Sequence, residues 1–179
     1  MTSISFSPPG LGPAPLLIDV YRNSMSKQDF PYVLCIIDMQ PDFTAANDNS
    51  VQRYIRRLVR TAIFDRAYIV VAQYKGYGET VPSIMRLLHG YPHRGICQAS
   101  RDDKSIVITR LLKGRRARAQ YFKICGVNTD ACVYSTVKGL HRRSRQPLYV
   151  VGRACHTANE YMHTVALRAM LNMRKVNAL

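Results

Sequence analysis

Apolar residues in this chain follow two alternating rhythms. Apolar-rich runs occupy residues 32–37, 68–73, 119–125 and 148–151, with shorter ones at 95–98 and 174–179. Runs of this kind suit strands buried on both faces of a parallel sheet. Between them the spacing turns helical. Residues 50–66 set Val51, Tyr54, Ile55, Leu58, Val59, Ala62 and Ile63 along one face, and residues 80–89 set Val81, Ile84, Met85 and Leu88 along another. Residues 103–113, 129–142 and 157–172 read as further helices. The alternation predicts an α/β fold: three α/β/α layers, Rossmann-like, around a mostly parallel sheet of about six strands.

The first 30 residues stand apart from this pattern. Ser7-Pro8-Pro9-Gly10-Leu11-Gly12-Pro13-Ala14-Pro15 resists regular structure, so residues 1–30 read as an extended Pro-rich arm and residues 31–179 as one domain. Residues 16–21 suit either an edge strand or a segment lying across a neighbouring subunit. Met25 offers an alternative start to the chain.

Candidate chemistry sits at the ends of two of the apolar runs. The run from Tyr32 ends in Asp38-Met39-Gln40, placing a carboxylate at the carboxyl end of a central strand, where ligands bind in open α/β sheets. Asp38 equally suits a helix cap or a turn, with Pro41 and Asp42 close behind. The run ending at Cys125 leads into Gly126-Val127-Asn128-Thr129-Asp130-Ala131-Cys132-Val133, a strand–turn–helix that delivers a cysteine to the first helical turn. Unpaired N–H groups and the helix dipole there favour thiolate over thiol. The plainer reading of Cys132 is a buried structural cysteine.

Together, Ile37-Asp38-Met39-Gln40-Pro41-Asp42-Phe43 and the Gly126–Val133 segment resemble the isochorismatase-like, or cysteine, hydrolases, which include nicotinamidases and N-carbamoyl-amide hydrolases. The resemblance runs from about Tyr32 to the C-terminus and implies an Asp–Lys–Cys triad. Asp38 would be the general base and Cys132 the nucleophile. Backbone N–H groups of Asn128 and Cys132 would form the oxyanion hole, with Val127–Asn128 as the candidate cis peptide.

In that family a lysine follows the third strand. Counting back from Cys132, with Asp102-Asp103-Lys104-Ser105 as anchor, its position holds Ala99. Without a cation, Asp38 and a thiolate would repel and each pKa would rise. Lys75, Arg101 and Lys104 are the candidate replacements, each read more readily as a solvated surface charge.

Composition narrows the rest. The 179 residues are 47% hydrophobic, enough for one domain with a full core and without an apolar span of membrane length. Five cysteines without metal-type spacing suit a reducing cytoplasm. The Asp-x-His motif of nicotinamidases is replaced by Gln73-Tyr74-Lys75-Gly76-Tyr77, so neither a metal nor another cofactor is expected, nor nicotinamide as substrate. The formal charge of +15 would attract polyanions, and nonspecific nucleic-acid contact follows from it; Arg153 suggests a cationic pocket mouth. Three readings result. The first is a cytoplasmic, homo-oligomeric (dimer or higher) hydrolase of a small amide or carbamoyl substrate. The second is a pseudoenzyme used for binding or assembly, and the third a basic nucleic-acid-associated protein.

Overall fold

A computed structural model describes residues 27–179. The Pro-rich arm up to residue 26, and with it the edge-strand reading of residues 16–21, lies outside the described residues. The remainder of that arm is not separate from the domain, since the first strand, β1, runs Gln28–Ile37. The other strands are β2 Tyr68–Tyr74, β3 Arg94–Ala99, β4 Ala117–Val127, β5 Leu148–His156 and β6 Val176–Ala178. They form one sheet in the order β3-β2-β1-β4-β5-β6. Every pairing is parallel.

Five α-helices connect them among the described residues: α1 Asn49–Phe64, α2 Pro82–Leu88, α3 Ser105–Gly114, α4 Tyr134–Arg143 and α5 Glu160–Leu171. Alternate residues of β1 feed opposite cores because side chains in a strand alternate faces. Val33, Cys35 and Ile37 pack with Ile108 of α3, Val137 and Leu140 of α4, and Met170 of α5. Tyr32, Leu34 and Ile36 pack with Val51, Ile55 and Val59 of α1 and Ile84 and Leu88 of α2. This is the three-layer arrangement that the apolar rhythm predicts.

Two departures bear on function. Strand β5 extends beyond residue 151 because the β4–β5 register shifts, from Ile124 opposite Val150 to Gly126 opposite Cys155. The predicted helix at 129–142 is divided, with a π-helical turn Thr129–Val133 preceding α4. Both changes fall where β4 leaves the sheet.

The order reverses direction between β1 and β4, and that crevice is the topological switch point of an open α/β sheet. Gly126 makes the close approach there workable. It lies opposite Ile37 in the β1–β4 register, with φ +128°, and a Cβ at this position would run into the Ile37 backbone. Gly126→Ala is therefore expected to destabilise the fold by about 3 kcal/mol, read as a lowered midpoint in urea unfolding.

Candidate active site

Asp38 follows β1 directly, with φ +48° and its N–H bonded to Ala72 O at 2.8 Å, so backbone pairing carries its carboxyl to the crevice. Gln40 ties the exits of β1 and β2 together. Its Nε2 donates to the carbonyls of Tyr74 and Gly78, and its Oε1 accepts from Tyr74 N. On the other side of the switch point the Val127–Asn128 peptide is cis, and the π-helical turn carries Cys132, which is 2% exposed. Thr129 Oγ1, at the start of that turn, lies 2.9 Å from His163 Nδ1 of α5.

Ala99, where the family lysine is expected, brings no cation to the crevice, and one of the three candidate replacements does. Ala99 ends β3, paired with Tyr74, and faces no carboxylate partner. The chain then curls through residues 100–104, so the ammonium beside Asp38 comes from the N-cap of α3. Lys104 Nζ stands 2.9 Å from Asp38 Oδ2, and neither side chain has exposed surface. The same nitrogen donates to Arg101 O at 2.7 Å and lies 4.1 Å from the centre of the Tyr74 ring. Of the other two candidate cations, Lys75 and Arg101 are both exposed, and Arg101 contributes its carbonyl rather than its charge.

A stripe on the nucleophile helix holds this turn in place. Cys132, Thr136, Gly139 and Arg143 recur at helical spacing, and each meets the segment 102–105. Cys132 Sγ donates to Asp102 Oδ1 at 3.6 Å. Thr136 Oγ1 accepts from Lys104 N at 3.0 Å and donates to Asp102 O at 3.2 Å. At Gly139 a Cβ would collide with the Asp103 carboxylate and the Ser105 hydroxyl. Arg143 pairs with Asp103 at 3.6 Å, and Asp103 Oδ1 accepts from Ser105 N. Sequence reasoning used Asp102 only as a counting anchor and missed Thr136 and Gly139. The spacing of four, three and four from Cys132 was the available signal.

The electrostatics differ from those of a standing thiolate. Burial and the neighbouring Asp38 carboxylate push the Cys132 thiol well above its ordinary value, against the pull of Lys104. Asp102 adds to the rise. The helix-end field that the sequence suggests is thus outweighed by burial of the thiol and by the two carboxylates beside it. Burial also raises the Asp38 carboxyl, while its contacts with Lys104 and Cys132 lower it. Arg153, expected at the pocket mouth, instead lines a separate cavity of about 340 Å³ with His163, Leu167 and Leu171.

A family model described as the isochorismatase domain matches residues 32–177. The chain belongs to that family. No curated protein matches it. Among solved structures, this isochorismatase-family chain is similar to the MAR1 ribonuclease of Caenorhabditis elegans (TM-score 0.72, 21% identity, covering 82% of this chain and 77% of that one). It is similar to the nicotinamidase SaPncA of Staphylococcus aureus (TM-score 0.72, 18% identity, 84% and 99% covered). It also resembles the YcaC product of Escherichia coli, described as an octameric hydrolase of unknown specificity (TM-score 0.67, 15% identity, 83% and 74% covered). At these identities the likeness is one of fold. Among the described residues no helix is long and apolar enough to cross a membrane, and no three or more His, Cys, Asp or Glu side chains are grouped to hold a metal ion.

Two outcomes follow from the geometry. Lys104→Met leaves Asp38 buried without its cation and should cost about 3 kcal/mol of unfolding free energy at neutral pH, a loss that adding Asp38→Asn largely relieves. Alkylation of Cys132 by iodoacetamide, followed by peptide mass spectrometry with Cys132→Ala as background, should keep accelerating through pH 9 without a plateau, because the thiol lies above its ordinary 9.0.

Proposed function

We propose that this chain is a cysteine hydrolase that cleaves a C–N bond in a small amide or carbamoyl compound. The supporting observation is the convergence of Asp38, Lys104 and Cys132 at the switch point, with the thiol and the ion pair within one buried cluster. The pseudoenzyme reading starts from a lysine replaced by Ala99, and the Lys104 ammonium beside Asp38 favours the hydrolase reading over it.

In this reading the thiol stays protonated until substrate arrives. Asp38 takes the S–H proton as Sγ bonds to the carbonyl carbon, and the resulting oxyanion is held by the N–H groups of Asn128 and Cys132. Asp38 returns the proton to the departing nitrogen, the C–N bond breaks, and a thioester remains. Water then gives a proton to Asp38 and its oxygen to the acyl carbon, the C–S bond breaks, and the sulfur regains its proton. Lys104 stays charged throughout. It favours the ionised Asp38 that can accept a proton and offsets the like charges of carboxylate and developing thiolate.

On a panel of small amides and N-carbamoyl compounds, Cys132→Ala and Asp38→Asn should each lower turnover by about a thousandfold or more. The acid limb of kcat/KM should lie above the ordinary carboxylate value of 3.8, because Asp38 must be ionised to act and burial raises its carboxyl. Turnover surviving either substitution would remove this reading.

A second reading is favoured by a different observation. Lys113, Arg118, Arg143 and Arg145 line a groove of about 450 Å³ where β4 and β5 begin, at the opposite edge of the sheet from Asp38. Such a groove fits a phosphate backbone, and the chain's +15 charge is of the same sign. Binding of a single-stranded RNA oligomer should then weaken steeply with salt, with a log–log slope of several charges. Arg118→Glu with Arg145→Glu should abolish it; a flat salt response would exclude it.

A further inference from the structure

Two carboxylates, not one, border the Cys132 thiol. Asp38 is buried, and its Oδ1 has no well-formed hydrogen bond in the structure. Asp102 Oδ1 accepts from Sγ at 3.6 Å, and Asp102 is exposed. Among the described residues the cation in this cluster is Lys104, already committed to Asp38, Arg101 O and the face of Tyr74 and with no exposed surface. With the thiol protonated, the charges of Asp38, Lys104 and Asp102 leave one negative charge over, and it lies on the accessible side. This sign is the opposite of the chain's overall +15.

Asp102 is not free to swing its backbone away. Its carbonyl accepts from Thr136, one helical turn beyond Cys132, and the neighbouring Asp103 is fixed by Ser105 N and Arg143. A carboxylate fixed beside the Cys132 thiol, with no cation paired to it among the described residues and Tyr74 nearby, matches a cationic group on the incoming molecule. An anionic substrate would meet it with repulsion.

We propose that Asp102 selects substrates bearing positive charge close to the scissile carbon, as an ammonium, amidinium or guanidinium group on a compact amide. The substrate class rests on the hydrolase reading above, but the charge selectivity can be measured without turnover. Asp102 is a specificity residue here, and Asp38 remains the base.

The test compares two small thiol reagents on the full-length protein: cationic 2-(trimethylammonium)ethyl methanethiosulfonate and its anionic 2-sulfonatoethyl counterpart. Each forms a disulfide with Cys132 and releases methanesulfinate. At about 0.15 M salt the screening length is about 8 Å, so remote surface charges contribute little. Rates are read at the Cys132 peptide by mass spectrometry, with Cys132→Ala as background. The cationic reagent should react at least about tenfold faster, a preference that a single nearby charge supplies. Asp102→Asn should bring the ratio near or below one, and Asp102→Glu should restore much of it. A ratio at or below one in the unaltered protein, a ratio unchanged by Asp102→Asn, or a Cys132 inert to the cationic reagent would overturn the proposal. If the ratio behaves as expected while no amide is turned over, the hydrolase reading fails and the charge selectivity stands.

Discussion

A carboxylate and an ammonium 2.9 Å apart, neither with any exposed surface, set the constraint that the rest of this site obeys. Removing two charges from water costs several kcal/mol per ion, and their attraction offsets this only when the remaining donors and acceptors are also satisfied. Lys104 meets that condition through the Arg101 carbonyl and the Tyr74 ring. Those contacts require the chain to curl tightly after β3. The curl in turn requires a surface to lie against, and α4 supplies one, with the Thr136 hydroxyl bridging two backbone groups and Gly139 leaving room for Asp103. The ion pair, the turn and the nucleophile helix therefore form one unit, seated where Gly126 lets β4 press against β1.

The same dryness governs the chemistry. Burial favours the neutral form of both the thiol and the carboxyl, and Lys104 opposes it at each. The balance leaves a protonated thiol next to a carboxylate, and in the proposed reaction charge develops at sulfur only as the bond to carbon forms. This arrangement protects the thiol from adventitious electrophiles and oxidants, since thiolate character governs both hazards. The other buried cysteines, Cys35, Cys125 and Cys155, are also raised by burial, and no carboxylate adds to the rise at any of them. What distinguishes Cys132 is its company rather than its burial.

Much of this could be read from residue order. The apolar runs located the strands, and the positions of Asp38 and Cys132 after two of them marked the crevice, because strand ends in a parallel sheet share an edge. The sequence also held Lys104, but only as one of three candidate cations. Linear spacing could not choose among the three, since distance along the chain says nothing about how residues 100–104 fold back. Asp102 was hidden for the same reason: its nearness to the thiol exists only once Thr136 has anchored the turn. The π-helical turn at Thr129–Val133 left no mark in the hydrophobic pattern. The sequence ties the thiol's elevation to a missing cation, whereas burial and the Asp38 and Asp102 carboxylates raise it even with Lys104 present.

The coupling between Asp38 and Lys104 is open to direct observation by carbon-detected NMR, following the Asp38 carboxyl through a pH titration in the unaltered protein and in Lys104→Met. Burial raises this carboxyl and Lys104 lowers it, so the account predicts a midpoint above the ordinary 3.8 in the first and a higher one still in the second. A midpoint that does not move when the ammonium is removed would show that the pair is not coupled, and the proposed base would lose the partner on which its role depends.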